Sequence, residues 1–182
     1  MRRVWQSEGS MACYLITGDD ESLMLSAIGD LVKQLVGDGD RSLMVDDFDG
    51  EEYELRAVVD AAQTAPFLTD QRVVVARGIG RFAAAEVAPL VAYLAYPLPS
   101  TALVLVGGGG RLPKALTDAL KQAKVATVDT SPPTRARERS GWFSDHVTAA
   151  GLRLDAQAVQ LLTDWLGEDA GRMDPERKHA GE

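Results

Sequence analysis

Short apolar runs alternate with helical segments through about the first 130 residues, and this alternation limits the fold more than any other feature. The strand candidates are "CYLITG", "SLMVDDF", "RVVVAR", "TALVLV" and "VATVDT". The runs "RVVVAR" and "TALVLV" are continuously apolar between their ends, which favours strands covered on both faces. Strand–helix alternation of this kind predicts an α/β fold, a doubly wound parallel sheet with helices on both faces.

The helical segments carry signals for their ends. We predict that Asp19 caps the first helix and that Gly37 ends it. Asp49 and Glu52 predict a capping box at the start of the second helix. Pro66 is expected to end that helix, because the residue before a proline is pushed out of the helical region.

The stretch "SPPTRARERSG" breaks the alternation with prolines and arginines, which predicts a domain boundary. We therefore divide the chain into a disordered leader (1–11), an α/β domain (12–134), a partial small helical domain (135–173) and a disordered tail (174–182). Asp155 is predicted to cap the second helix of the partial domain.

Composition excludes several classes of protein. The formal net charge is -8, so no global attraction to nucleic acid or anionic lipid is expected. One cysteine and two histidines exclude an internal disulfide and are too few for a Cys/His zinc site. Cys13 begins an apolar run and is predicted to be a buried, inert thiol. No apolar run is long enough for a membrane helix and no secretory signal is present, so we expect a cytoplasmic protein without a membrane partner.

The first strand-to-helix turn, "TGDDESLMLS", lacks the signals of a nucleotide site. A phosphate loop needs several glycines, a lysine and a hydroxyl, whereas this turn has one glycine, no lysine and three acids. An ATPase would also carry acids at the end of a central strand, where this chain has Ala76 and Arg77. We expect no cofactor and no metal, and the pattern favours a binding or mechanical module.

The alternative is a nucleotide-dependent enzyme, or a receiver-like switch, on the same type of fold. Asp19 and Asp20 follow the first strand, as the paired acids of receiver domains do. The acceptor aspartate that receivers need after their third strand is missing. A nucleotide-binding assay would separate this alternative from a non-catalytic module.

The connection "QTAPFLTDQ" places two large apolar residues, Phe67 and Leu68, directly after Pro66. Connections run over the surface and are mostly polar, so this pair needs a reason. The residues alone leave two interpretations open: the pair is local core beneath the sheet, or it is buried in another protein.

Taken together, these stretches resemble the delta subunit of bacterial DNA polymerase III, in its actinobacterial version. The resemblance is carried in order by "YLITGDDESL", "RSLMVDDFDGEEYELRAVVDAAQTAPFLTDQRVVVARGIGRF", "VAPLVAYLAYPLPSTALVLVGGG", "PKALTDALK" and "LGEDAGRM". It implies an AAA+-like module, related to P-loop NTPases, that has lost nucleotide binding. In the family a small helical lid and a helical collar follow, whereas this sequence reads "DPERKHAGE" after the start of the lid, which implies truncation before the collar.

The family binds the ring-shaped sliding clamp (beta subunit) and opens it during DNA replication. Its clamp contact is a glutamine followed by an apolar pair, between the second helix and the third strand. The resemblance assigns this role to Gln63, Pro66, Phe67 and Leu68, with the order Phe-Leu where Leu-Phe is more familiar.

The resemblance also implies the wider assembly. The family's contacts with the delta-prime and gamma/tau subunits lie mostly in the collar, so we expect this fragment to stay outside a loader pentamer. The chain is expected to contact DNA only indirectly, through the complex. The chain would be a component of the DNA-directed DNA polymerase (nucleotidyltransferase) holoenzyme, and no catalysis is expected of the chain itself.

Overall fold

The computed structural model describes residues 13–108 and 110–131, together with single positions beyond them (138, 141, 142, 144, 148, 155, 157, 158 and 161). The described domain contains a sheet of five parallel strands in the order β2-β3-β4-β1-β5. The strands are β1 (Cys13–Thr17), β2 (Val45–Phe48), β3 (Arg72–Ala76), β4 (Thr101–Val106) and β5 (Ala126–Asp129). The predicted parallel sheet is confirmed.

Helices connect successive strands. They are α1 (Glu21–Val36), α2 (Arg41–Met44), α3 (Leu55–Gln63), α4 (Ala88–Ala95) and α5 (Lys114–Gln122), with a single 3₁₀ turn at Ile79–Arg81. Pro89 lies in the first turn of α4, where a missing amide hydrogen costs nothing. Among the described helices, none is long and apolar enough to cross a bilayer.

The core has two layers, one on each face of the sheet. On one face, Ile28 and Leu31 of α1 pack over Ile16, Val75 and Val104 of the strands. On the other face, α3, α4 and α5 cover the alternate strand residues, such as Leu15, Val74 and Leu103. Strands β3 and β4 are buried from both sides, which explains why their sequences are continuous apolar runs.

The strand order separates this domain from receiver domains. Here β1 lies between β4 and β5. The flavodoxin-like order of receivers, 2-1-3-4-5, places the first strand between the second and third. The receiver-like alternative is therefore wrong, because its acidic site depends on that different set of neighbours.

Three local predictions about the element ends are wrong. Asp20 rather than Asp19 caps α1, with its Oδ1 atom 3.1 Å from the Leu23 amide nitrogen. The segment before β2 is helical, because the Asp40 carboxylate caps a single turn at the Ser42 amide, 2.8 Å away. The strand therefore begins only at Val45.

The third error concerns the start of α3. Asp49 accepts a hydrogen bond from the adjacent Gly50 amide, at 2.7 Å, and α3 begins at Leu55 after Glu54 without a side-chain cap. The cause is a tertiary contact: the Tyr53 ring packs against the rings of Phe48 and Phe82, which holds the chain beside the end of β2 before α3 begins.

Little of the predicted helical domain lies within the described residues. Asp155 caps a helix as predicted, since the Ala158 amide donates to its Oδ1 atom at 2.7 Å. The predicted leader and tail, and most of the range 135–173, lie outside the described residues.

Candidate functional site

The last turn of α3 presents Gln63 to solvent from a helix that is firmly seated on the sheet. Leu55, Val58, Val59 and Ala62 form its buried face. Gln63 follows Ala62 on the exposed side. The position of Gln63 is therefore set by packing of the opposite helix face.

Three carbonyl groups in the last turn of α3 accept hydrogen bonds from side chains. The Thr64 hydroxyl donates to the Asp60 carbonyl at 2.7 Å. The Ala61 carbonyl accepts from Arg72 Nη1 at 3.3 Å, and the Tyr93 hydroxyl lies 3.5 Å from the Ala62 carbonyl. Unpaired carbonyl groups at a helix end would need water or other partners. Here side chains from β3 and α4 supply them, so this helix end is held by the neighbouring elements.

Phe67 and Leu68 lie on the surface directly after this helix end. Their exposed fractions are 93% and 71%, while Pro66 before them is half-buried. These values contradict the interpretation of the pair as local core. A phenylalanine and a leucine exposed side by side form an apolar patch of the kind that marks interaction sites when it is part of a larger surface.

The pair lies at the edge of the sheet where the parallel strands begin, which we call the amino-terminal edge. It is formed by the connections before β2 (37–44), β3 (64–71) and β4 (96–100). Small ligands of open α/β sheets bind at the opposite edge, outside the carboxyl ends of the strands. The apolar pair thus lies away from the position of a nucleotide site.

At the carboxyl edge, the turn after β1 packs closely against the chain after β5. A Cβ atom placed on Gly18 would lie 2.0 Å from Thr130 Oγ1, and the Thr130 amide donates to the Thr17 carbonyl at 2.7 Å. The Asp20 carboxylate caps the helix that follows. This turn places acids where a phosphate loop would place a lysine.

The carboxyl ends of β2 and β3 are joined by an ion-pair cluster. Arg77 forms a bidentate pair with Asp47, with distances of 2.7 and 3.0 Å, and its Nη1 atom lies 3.8 Å from Asp49. The hydrogen bond to Asp47 raises the pKa of Arg77 above its usual value. The carboxylates nearest to this strand end are therefore paired with the protein's own arginine.

Other candidate chemistry is sparse within residues 13–108 and 110–131. No group of three or more His, Cys, Asp or Glu side chains is arranged there to hold a metal ion. Cys13 is buried as predicted, and burial raises the pKa of its thiol to about 12. The thiol is therefore protonated near neutral pH and unreactive.

Two features of this edge were not predicted from the sequence: exposed apolar residues beside the pair, and an arginine that supports the end of α3. Tyr96 is 91% exposed in the connection before β4, and Leu43 is 54% exposed in the connection before β2, so both lie at the amino-terminal edge. Arg72 also contributes, because its guanidinium donates to the Ala61 carbonyl at the end of α3. The apolar–proline step at Tyr96-Pro97 was a signal that could have indicated a second exposed apolar residue.

Comparisons with known proteins agree with the fold. A Bacillus subtilis DNA clamp loader delta protein matches with a TM-score of 0.66 and 22% identity, over 88% of this chain and 50% of that protein. A Thermotoga maritima DNA polymerase III gamma subunit-related protein matches with a TM-score of 0.54 and 18% identity, over 97% of this chain and 62% of that protein. The chain thus spans about half the length of the Bacillus protein. These likenesses confirm the predicted AAA+-like fold class.

A search of curated proteins by sequence finds no match. A family model described as "DNA polymerase III, delta subunit" matches residues 14–129, a range that holds all five described strands except the first residue of β1, and α3 with the exposed pair after it. This range covers more than half of the chain, and the predicted family is confirmed. The chain belongs to the delta subunit family of DNA polymerase III.

Proposed function

We propose that this chain binds the sliding clamp of DNA replication through Gln63, Pro66, Phe67 and Leu68. The observation that carries the proposal is the exposure of Phe67 and Leu68, at 93% and 71%, beside a helix end that is held by neighbouring elements. Because the adjacent helix end is already held, less backbone freedom is lost when the pair is buried in a partner, and more of the burial energy contributes to affinity.

The apolar pair and the glutamine contribute differently to binding. Phe67 and Leu68 supply apolar surface, and a few such residues usually dominate an interface. The Gln63 amide can donate and accept at the rim of a pocket, which would fix the orientation of the bound pair. The carbonyl groups beneath are paired within the protein, so they do not compete for the partner's donors.

In the assembly, the chain acts as the clamp-binding subunit of the clamp loader and opens one interface of the ring. It does so without catalysis of its own. Contacts with the delta-prime and gamma/tau subunits depend on the family's collar domain and, like the indirect contact with DNA and the cytoplasmic location, stay predictions. The family match and the likeness to the Bacillus clamp loader delta protein support the role.

The test is a titration of the purified chain against the sliding clamp of the same organism. Saturable binding at one site per clamp interface is expected, together with release of labelled clamp from circular DNA. Absence of binding at concentrations far above those of the two proteins in the cell would refute clamp binding. Binding without release of the clamp from circular DNA would support the clamp contact and refute ring opening by this chain.

A further inference from the structure

Exposed apolar side chains concentrate at the amino-terminal edge of the sheet. The described large apolar residues with high exposure are Leu25, Leu43, Phe67, Leu68, Tyr96 and Leu161. Of these, Leu43, Phe67, Leu68 and Tyr96 lie in the connections that lead into β2, β3 and β4. These three strands are neighbours in the sheet, so the four side chains lie along one continuous edge.

Tyr96 is the most exposed of these four residues after Phe67. It is 91% exposed, and it lies shortly before Thr101 as Phe67 lies shortly before Arg72. Arg72 and Thr101 are register partners in adjacent parallel strands. Since adjacent strands lie roughly 4.8 Å apart, the two connections enter the sheet side by side.

Hydrogen bonds join the two connections. The Arg72 amide donates to the Ser100 carbonyl at 2.9 Å, where β3 and β4 begin. The Tyr93 hydroxyl lies 3.5 Å from the Ala62 carbonyl and accepts from the Leu98 amide at 3.3 Å. One buried side chain thus links the end of α3 with the connection that carries Tyr96. A partner seated on Phe67 and Leu68 meets a neighbouring segment whose position is already set.

We propose that Tyr96 is a second anchor for the sliding clamp, beside Phe67 and Leu68. The inference rests on the proposed function, because the partner is the same. A tyrosine brings a large rigid ring with few rotatable bonds and a polar hydroxyl, and tyrosine is enriched at binding hot spots. Continuity of the apolar edge selects the clamp as its partner, since a protein that covers Phe67 and Leu68 in the connection before β3 lies against the adjacent connection before β4.

The experiment compares clamp affinities of four variants by titration. Tyr96→Ala is expected to weaken clamp binding roughly tenfold, in the range of a single aromatic anchor. Tyr96→Phe keeps the ring and is expected to bind within about threefold of wild type. Leu25→Ala removes an exposed apolar side chain from α1, away from this edge, and serves as the matched control with unchanged affinity. Phe67→Ala with Leu68→Ala reports on the proposed function itself.

The outcomes separate the two ideas. If the Phe67/Leu68 double variant binds as tightly as wild type, the proposed clamp site is wrong. If that variant loses binding while Tyr96→Ala binds like Leu25→Ala, only the second anchor is refuted. If Tyr96→Ala alters self-association of the chain and leaves clamp affinity unchanged, the residue belongs to an interface between copies and the proposal is overturned. Equal urea midpoints of Tyr96→Ala and wild type are expected, because the side chain is exposed.

Discussion

Removal of Phe67 and Leu68 separates a binding role from a structural one. In the free protein, Phe67 is 93% exposed and Leu68 is 71% exposed, so truncating both to alanine removes little buried surface. Substitutions of exposed residues usually change the free energy of unfolding by less than about 0.5 kcal/mol. The double variant is therefore expected to unfold almost as wild type does.

The effect on clamp binding is expected to be much larger. Full burial of one such side chain is worth roughly 1.5 to 3 kcal/mol, so the pair accounts for at most roughly 3 to 6 kcal/mol. Each 1.4 kcal/mol is about tenfold in affinity, which gives a loss of roughly 10² to 10⁴-fold. Incomplete burial in the complex would bring the loss toward the lower end of this range.

The assay pairs two measurements on the same samples. A titration of fluorescently labelled clamp gives the dissociation constant, and urea unfolding followed by circular dichroism gives the free energy of unfolding. Leu25→Ala is the control for loss of an exposed apolar side chain outside the site. Its clamp affinity and its urea midpoint are both expected to match wild type.

Two results would refute the reasoning. A loss of several kcal/mol in the free energy of unfolding of the double variant would show that the pair is part of the core in solution. Unchanged stability with unchanged clamp affinity would show that the contact lies elsewhere on the chain. Reduced affinity with unchanged stability is the expected combination.

Three further predictions concern the support of the site, the buried thiol and the carboxyl edge. Arg72→Gln removes the hydrogen bond to the Ala61 carbonyl and is expected to lower the free energy of unfolding by about 1 to 2 kcal/mol in urea titrations. Arg56 is exposed, so Arg56→Gln is the control and should leave the free energy of unfolding almost unchanged. Equal effects of the two changes would show that Arg72 does not stabilise the end of α3. The pKa of Cys13 is raised from 9.0 to about 12, so the folded state keeps a proton that the unfolded chain loses above pH 9. Stability should thus fall by about 1 kcal/mol more in wild type than in Cys13→Ala between pH 8 and 10, and equal slopes would refute the burial of the thiol. Calorimetric titration with Mg-ATP should show no heat of binding, and micromolar affinity would overturn the non-catalytic role.

The sequence by itself determined the class of the fold and the location of most elements. Buried parallel strands must be apolar on both faces, so "RVVVAR" and "TALVLV" indicated β3 and β4 without knowledge of their neighbours. Pro66 marked the end of α3 because its restriction of the preceding residue is local. The ordered series of stretches was sufficient to identify the family, and the match of the family model confirms it.

Only the tertiary structure decided which segments meet. Strand order places β1 between β4 and β5, and no local pattern encodes such a long-range pairing. The same holds for the late start of α3, which depends on packing of Tyr53 against Phe48 and Phe82. The connection that carries Phe67 lies beside the one that carries Tyr96 because β3 and β4 pair in register, with Arg72 opposite Thr101. An apolar residue in a connection can be core or surface, and its burial depends on elements distant in sequence that only the folded chain brings together.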